Sequence, residues 1–454
     1  MTGGQENKIT SIVNMHSVKI RSKNSSAVIV KEKIQYEDGT IEPNIRTYYN
    51  PVRSFYITKP KYRRNRLKIE YELLDRLDRF TCYDHELLRK LAGALGMRVA
   101  GGWIDPNTLF KSPYVYGADI DIEALIKMRY LDTYKGATMA PSVGFLDIET
   151  SIDTDEIILI SFIHGTTIHT AGLKAFCYDD IDGKRVPFTE EDAIKHANEN
   201  LNDRVGDHKF TYDIKFFDTE IKLIAWIFSK IHQAKQDFIG VWNINFDIPR
   251  IISRIEKNNH RPIDIFHNPD VDRDLSYFKY REDKRPVSHF TLKWHWLFSS
   301  CGSQFVDSQG LYSQCRRTAG FRASYRLDAV LQDYLNLGKL PLHGGSHTIM
   351  QRHHFKDYIV YNIFDVVGLK LLEDMNGDMM AMTVLSGPSP VSTFATQTKR
   401  ATNQLYWNLI GKDMVLASCS RDDAFIKLDK KFPNSGGSVL QPANVKGVGI
   451  DLDV

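Results

Sequence analysis

An apolar run, Val143-Gly144-Phe145-Leu146, leads without a turn residue into Asp147-Ile148-Glu149, and this junction constrains the fold more than any other stretch of the chain. The period-two alternation of a strand puts Asp147 and Glu149 on the same face. Two like charges at the rim of a buried strand are costly unless a cation lies between them. The neighbouring sequence supplies what would bury such a strand. Ile157 to Phe162 reads as an adjacent strand, Phe217 to Ile231 as a helix, Phe238 to Trp242 as a short buried strand and Ile248 to Ile255 as the helix after it. Tyr325 to Leu337 and Tyr358 to Met375 also have helical periodicity. From Pro141 onward, apolar runs thus alternate with amphipathic helices, the pattern of an α/β domain, whose chemistry sits where strand ends meet helix starts.

Two further segments bring carboxylates to the same kind of position. In Gly240-Val241-Trp242-Asn243-Ile244-Asn245-Phe246-Asp247 a strand gives way to a helix with Asp247 near its start. Asn243 is placed to fix the turn or to contact substrate. Phe246 is placed to wedge against a base or to pack the strand on the helix. In Tyr361-Asn362-Ile363-Phe364-Asp365, Tyr361 and Asp365 are four apart on a helix and share a face. Each motif alone is an ordinary edge, cap or amphipathic pair; their order, about 100 and 120 residues apart, gives them weight together. Oxygen ligands without histidine or cysteine favour magnesium or manganese over zinc. Two such ions about 3.5 to 4 Å apart suit hydrolysis of a phosphodiester.

The rest of the chain frames this site. Its 454 residues exceed what one core sustains, so several domains are expected. Residues 1–140 mix alternating stretches such as Ser26 to Val30 with turns such as Glu37-Asp38-Gly39 and a helical pattern from Tyr83 to Leu95, which predicts a β-rich α+β domain. Within it, Lys59 to Lys68 carries six Lys or Arg in ten, with Tyr62 inside and Phe55 and Tyr56 before it. Such a mixture either holds phosphates and stacks bases or is a solvated charged strand pair. After about residue 376 the texture loosens into Leu385 to Pro390, which predicts a linker between 376 and 390, followed by a helix around Thr398 to Leu409. The net charge of +3 announces no nucleic-acid binder by itself. Five scattered cysteines, without a C-x-x-C pair, read as reduced thiols. His353-His354 has no third ligand at zinc spacing and reads as a surface pair. No run approaches the ~18 apolar residues of a membrane span.

Asp147-x-Glu149, Asn243-x-x-Phe246-Asp247 and Tyr361-x-x-x-Asp365 resemble the three exonuclease motifs of family B DNA polymerases. Val360 stands where the histidine subtype would carry its base, so the tyrosine subtype is the better match. Ser324-Tyr325-Arg326-Leu327-Asp328, Gly338-Lys339-Leu340-Pro341 and then Tyr361 to Val366 follow the order of tailed-phage replicative enzymes. Phe55 to Thr58 with the basic run, and Tyr130 to Tyr134, resemble their N-terminal domain. Gly436 to Pro442 is similar to the segment that joins exonuclease and polymerase modules, although Asn434 stands where a tyrosine is usual. Gly449 to Val454 resembles the opening of polymerase motif A, with Asp453 the better candidate for its metal-binding aspartate and Asp451 the second.

The resemblance implies a β-rich N-terminal domain (1–140), an RNase H-like (DnaQ-like) 3′→5′ exonuclease domain (141–376) and a linker with the beginning of a polymerase palm (377–454). It implies proofreading in DNA replication on a single-stranded 3′ end of a primer-template. Asp147 would bridge two Mg2+ or Mn2+ ions, Glu149 and Asp365 would complete one site, and Asp247 would act on the second through water. Tyr361 would aim the nucleophile, while Asn243 and Phe246 would contact the substrate. Lys339 would touch phosphate or simply be a solvent lysine at a helix end. Nucleotide addition would need a continuation or a second chain, and a sliding clamp and the cytoplasm of a phage-infected bacterium are the implied surroundings. The rival readings are a self-standing repair or RNA-trimming exonuclease, and a DNA-binding scaffold subunit of a split polymerase with little nuclease activity.

Overall fold

A computed structural model describes residues 8–20, 24–63, 68–97, 104–135, 140–201, 205, 209–338, 340 and 346–419. The chain is a mixed α/β protein that divides into two compact units, neither contiguous in sequence. One comprises Lys31–Ile45 and Thr138–Leu385; the other takes the described residues of Glu6–Val30, Arg46–Ala137 and Ser386–Val454.

The first unit is built on a six-stranded sheet in the order Thr211–Phe217, Thr167–Leu173, Ile157–His164, Val143–Thr150, Phe238–Val241, Gln304–Asp307. Val143–Thr150 runs antiparallel to Ile157–His164 and parallel to Phe238–Val241. Every residue from Ile157 to Ile163 is buried, so both faces of this strand are covered. Helix Glu220–Ala234 and helix Phe355–Asn376 both pack against it. The carboxylate face of Val143–Thr150 turns toward helix Phe355–Asn376, because Asp147 and Glu149 accept hydrogen bonds from Asn362 and Tyr358.

Gly240 explains how the sheet closes tightly at this point. It lies opposite Phe145 in the parallel register, and a Cβ there would stand 2.6 Å from the Phe145 ring and 2.5 Å from Ser308 Oγ. Gly240→Ala is therefore expected to overpack the strand that carries Asp147 and to cost about 1–3 kcal/mol. A fall in the urea midpoint checks this; an unchanged midpoint would show that the neighbours move aside freely.

Lys31 and Lys33 tie the short N-terminal segment into the first unit. The two side chains, together with the Ser142 amide and hydroxyl, surround the fully buried Asp237. Burial lowers the Lys31 ammonium to about 8, against the pull of Asp237.

The second unit has the antiparallel pair Val52–Thr58 and Leu77–Tyr83 with Val115–Tyr116 added, and Tyr71–Leu73 paired with Met414–Leu416. Helices Ile122–Thr133 and Gln397–Ile410 cover a core that includes Tyr56, Tyr116, Ile126, Tyr406 and Val415. Its β-rich character agrees with the sequence pattern. In the described part of the basic run, Lys61 lies over the Tyr62 ring at 4.7 Å, Arg76 from outside the run lies over the same ring at 5.6 Å, and Arg63 lies over Tyr114 at 5.4 Å.

Three expectations need correction. The strand does not end at its carboxylates: Asp147 and Glu149 lie inside Val143–Thr150, and a register shift between Glu149 and Thr150 marks a bulge beside them. The stretch expected as a linker contains helix Asp378–Ser386, entered directly from the left-handed cap Gly377 (φ 63°). Phe217 ends a strand, and the helix after it starts at Glu220. The five cysteines are all free. Asn434, Gly436 to Pro442, Asp451 and Asp453 lie outside the described residues, as does Lys339.

Candidate active site

Three elements deliver the acidic residues to one place. Asp147 and Glu149 come from strand Val143–Thr150, and Asp365 from the middle of helix Phe355–Asn376. One carboxylate oxygen from each of the three lies within 4.8 Å of the others. Asp247 sits in the first turn of helix Ile244–Lys257, 2% exposed, with Oδ2 lacking any hydrogen-bond partner.

The electrostatics show that these four groups feel one another. Burial first, and then the charges of Asp247, Asp365 and Glu149, hold the Asp147 carboxyl well above the ordinary carboxylate range. Asp247 is pushed in the same direction by burial, then by Glu149 and Asp365. Glu149 is raised by burial to about 7, against the pull of its hydrogen bond from Tyr358. A half-buried cluster of mutually repelling carboxylates, backed by the buried Asp247 with its orphaned oxygen, fits a divalent cation held by hard oxygen ligands. Among the described residues it is the only group of three or more metal-ligating side chains close enough to share an ion, and His353 is not part of it. His353 is instead an exposed side chain against Asp180, at 3.0 Å.

Tyr361 is half-buried on the same helix as Asp365. Burial, then Asp365, Glu149 and Asp147, push its phenol upward, so it keeps its proton as a neutral donor. Asn243 is exposed, and only its backbone carbonyl serves the helix start, accepting from the amides of Phe246 and Asp247 at 2.8 and 2.9 Å. The Phe246 ring is 47% exposed with the Arg250 guanidinium over it at 5.3 Å, so it is not buried packing between strand and helix.

Sequence reasoning missed three residues behind the carboxylates. Asn362 Nδ2 donates to Asp147 Oδ2 at 2.7 Å, Tyr358 donates its hydroxyl to Glu149, and Gln351 Nε2 donates to the Tyr358 hydroxyl at 3.0 Å. Tyr358 precedes Tyr361 by three and Asp365 by seven, and Asn362 follows Tyr358 by four, so helical spacing places them on the motif's own face. No local signal marks Gln351, which reaches the site from helix His347–His353.

Residues 140–290 match the family model for the exonuclease domain of DNA polymerase family B. That match supports a nuclease and implies an RNase H-like fold, in keeping with the mixed α/β sheet of this unit. Exonuclease domains of that family use divalent metal ions. No curated protein matches the chain. No helix among the described residues is long and apolar enough to cross a membrane.

Proposed function

We propose that this chain carries a proofreading 3′→5′ exonuclease that removes nucleotides from the single-stranded 3′ end of DNA during replication. The observation that carries the reading is the convergence of Asp147, Glu149 and Asp365 from distant parts of the chain, with the buried Asp247 electrostatically coupled to them. Asp147, Glu149, Asp247 and Asp365 are the residues that would hold two Mg2+ or Mn2+ ions. Bound there, such ions acidify water and shield the charge on a phosphodiester.

The chain's own groups supply orientation. The neutral Tyr361 phenol donates a hydrogen bond to the attacking water and so points a lone pair toward phosphorus. The exposed ring of Phe246 offers a face for the terminal base, and the free side chain of Asn243 offers a donor and an acceptor beside it. An unpaired end is favoured because its bases can splay and stack, whereas a paired end must first melt. Selectivity for a mismatched terminus then needs no separate reader of mismatches. The 141–376 segment is the nuclease module in this reading, with 1–140 an N-terminal module that can hold nucleic acid and 377–454 the approach to a polymerase palm.

A 5′-labelled oligonucleotide tests this directly. In Mg2+ the label is expected to remain on a ladder shortened one nucleotide at a time, faster for a frayed than for a blunt duplex end, and chelation with EDTA is expected to stop the reaction. Immediate release of labelled mononucleotide, or no digestion in either Mg2+ or Mn2+, would sink the assignment.

A further inference from the structure

We propose that Tyr358, held by Gln351, is a positioning residue that fixes the Glu149 carboxylate for cation binding, an inference that rests on the reading of the acidic pocket as a metal site. Backbone groups determine the direction of every proton in this relay. Gln351 is 4% exposed, and its amide lies against the end of strand Val143–Thr150. Its Oε1 accepts from the Ile152 N–H at 3.2 Å and its Nε2 donates to the Thr150 carbonyl at 2.8 Å. A backbone N–H only donates and a carbonyl only accepts, so the amide cannot be turned round. The same Nε2 donates to the Tyr358 hydroxyl at 3.0 Å. The hydroxyl oxygen is therefore the acceptor there, and its single proton goes to Glu149 Oε2 at 2.5 Å.

The ring that carries this hydroxyl has little freedom. Tyr358 is 1% exposed and lies parallel to Tyr361, with centroids 6.1 Å apart, while His347 stands edge-on to both. With Oε2 tied to a restrained donor, the plane of the Glu149 carboxylate is set. The relay also returns to the strand it serves: Gln351 grips Thr150 and Ile152, on the far side of the bulge that follows Glu149. Asn362, one helical turn beyond Tyr358, makes the matching contact to Asp147. Helix Phe355–Asn376 thus contributes a ligand candidate, Asp365, and the donors that orient the other two.

Manganese binding tests the role without reference to turnover. Free Mn2+ is measured by electron paramagnetic resonance in the absence of DNA, for wild type, Tyr358→Phe, Gln351→Leu and Asp147→Asn. Tyr358→Phe is expected to weaken Mn2+ binding roughly 10- to 100-fold, the usual cost of losing an outer partner of a metal ligand. Gln351→Leu is expected to weaken it less, and Asp147→Asn to lose it. At saturating Mn2+, Tyr358→Phe is expected to recover most of kcat with an unchanged KM for oligonucleotide. Metal-free melting curves report folding, and if Tyr358→Phe fails to fold, Gln351→Leu decides. Wild-type Mn2+ affinity in both folded variants would overturn the proposal while leaving the nuclease reading intact. Absence of Mn2+ binding by the wild type would instead remove the reading on which it rests.

Discussion

Asp147→Asn is expected to lower Mg2+-dependent digestion by about 10³-fold or more, the scale on which losing a transition-state electrostatic group is felt, while leaving the metal-free protein at least as stable as wild type. The second half of the expectation follows from the first. Asp147 is held well above the ordinary carboxylate range by burial and by Asp247, Asp365 and Glu149, so its ionised form is unfavourable in the folded chain. An isosteric amide removes one of four repelling charges and keeps the shape.

Glu149 rises from its ordinary 4.5 to about 7 in the fold, so the folded state holds the proton more tightly than the unfolded state does. Stability contributed by this group is then lost as pH rises through that window, and the loss is complete above it. Without metal, the wild type should lose stability relative to Glu149→Gln between about pH 4.5 and 7, and Mg2+ should restore it. Parallel melting temperatures for wild type and Glu149→Gln across that range would contradict the electrostatic account, and digestion by Asp147→Asn near the wild-type level would refute the role given to Asp147.

Glu220→Ala is expected to have the largest effect on stability, about 3–5 kcal/mol, because it strands a buried cation. Glu220 is 4% exposed and accepts four hydrogen bonds: Ile157 N at 2.7 Å, Arg254 Nε at 2.7 Å, Arg254 Nη2 at 2.8 Å and Asn258 Nδ2 at 2.9 Å. The bidentate contact is the first cause that raises Arg254, and the remaining carboxylate near it, Glu156, is 3.8 Å away and more exposed. Glu220 thereby joins the start of its own helix to strand Ile157–His164 and to helix Ile244–Lys257, which carries Asp247. Losing it should loosen the seat of Asp247 as well, so activity falls together with the urea midpoint. A cost under about 1 kcal/mol would place the pair with exposed salt bridges and contradict this role.

The parts of the fold legible in the sequence are those governed by local periodicity. The Val143 and Ile157 strands, the short Phe238 strand and the helices that bear Asp247 and Asp365 all announce themselves through apolar spacing. The pairing of Asp147 with Glu149 on one strand face is legible from their i, i+2 spacing, whereas placing Asp365 beside them rests on the order of the motifs and their resemblance to a known set, not on any local pattern. Tyr358 and Asn362 were hidden for a physical reason. Helix Phe355–Asn376 is buried around most of its circumference, so its polar residues form no solvent stripe to distinguish them. Gln351 acts through backbone groups some 200 residues away in sequence, and the Lys31 and Lys33 contacts with Asp237 span a similar separation. Such pairings leave no local trace. The helix Asp378–Ser386 was masked by the Gly387-Pro388 that ends it, which reads as loop over a wider stretch than it governs.

Crystals soaked in Mn2+, with anomalous scattering measured at the manganese edge, test the central claim most directly. Manganese is expected in contact with Asp147, with Glu149 and Asp365 around one ion and Asp247 facing a second. An acidic pocket that stays free of manganese, at a concentration which supports digestion of DNA by the same preparation, would contradict it.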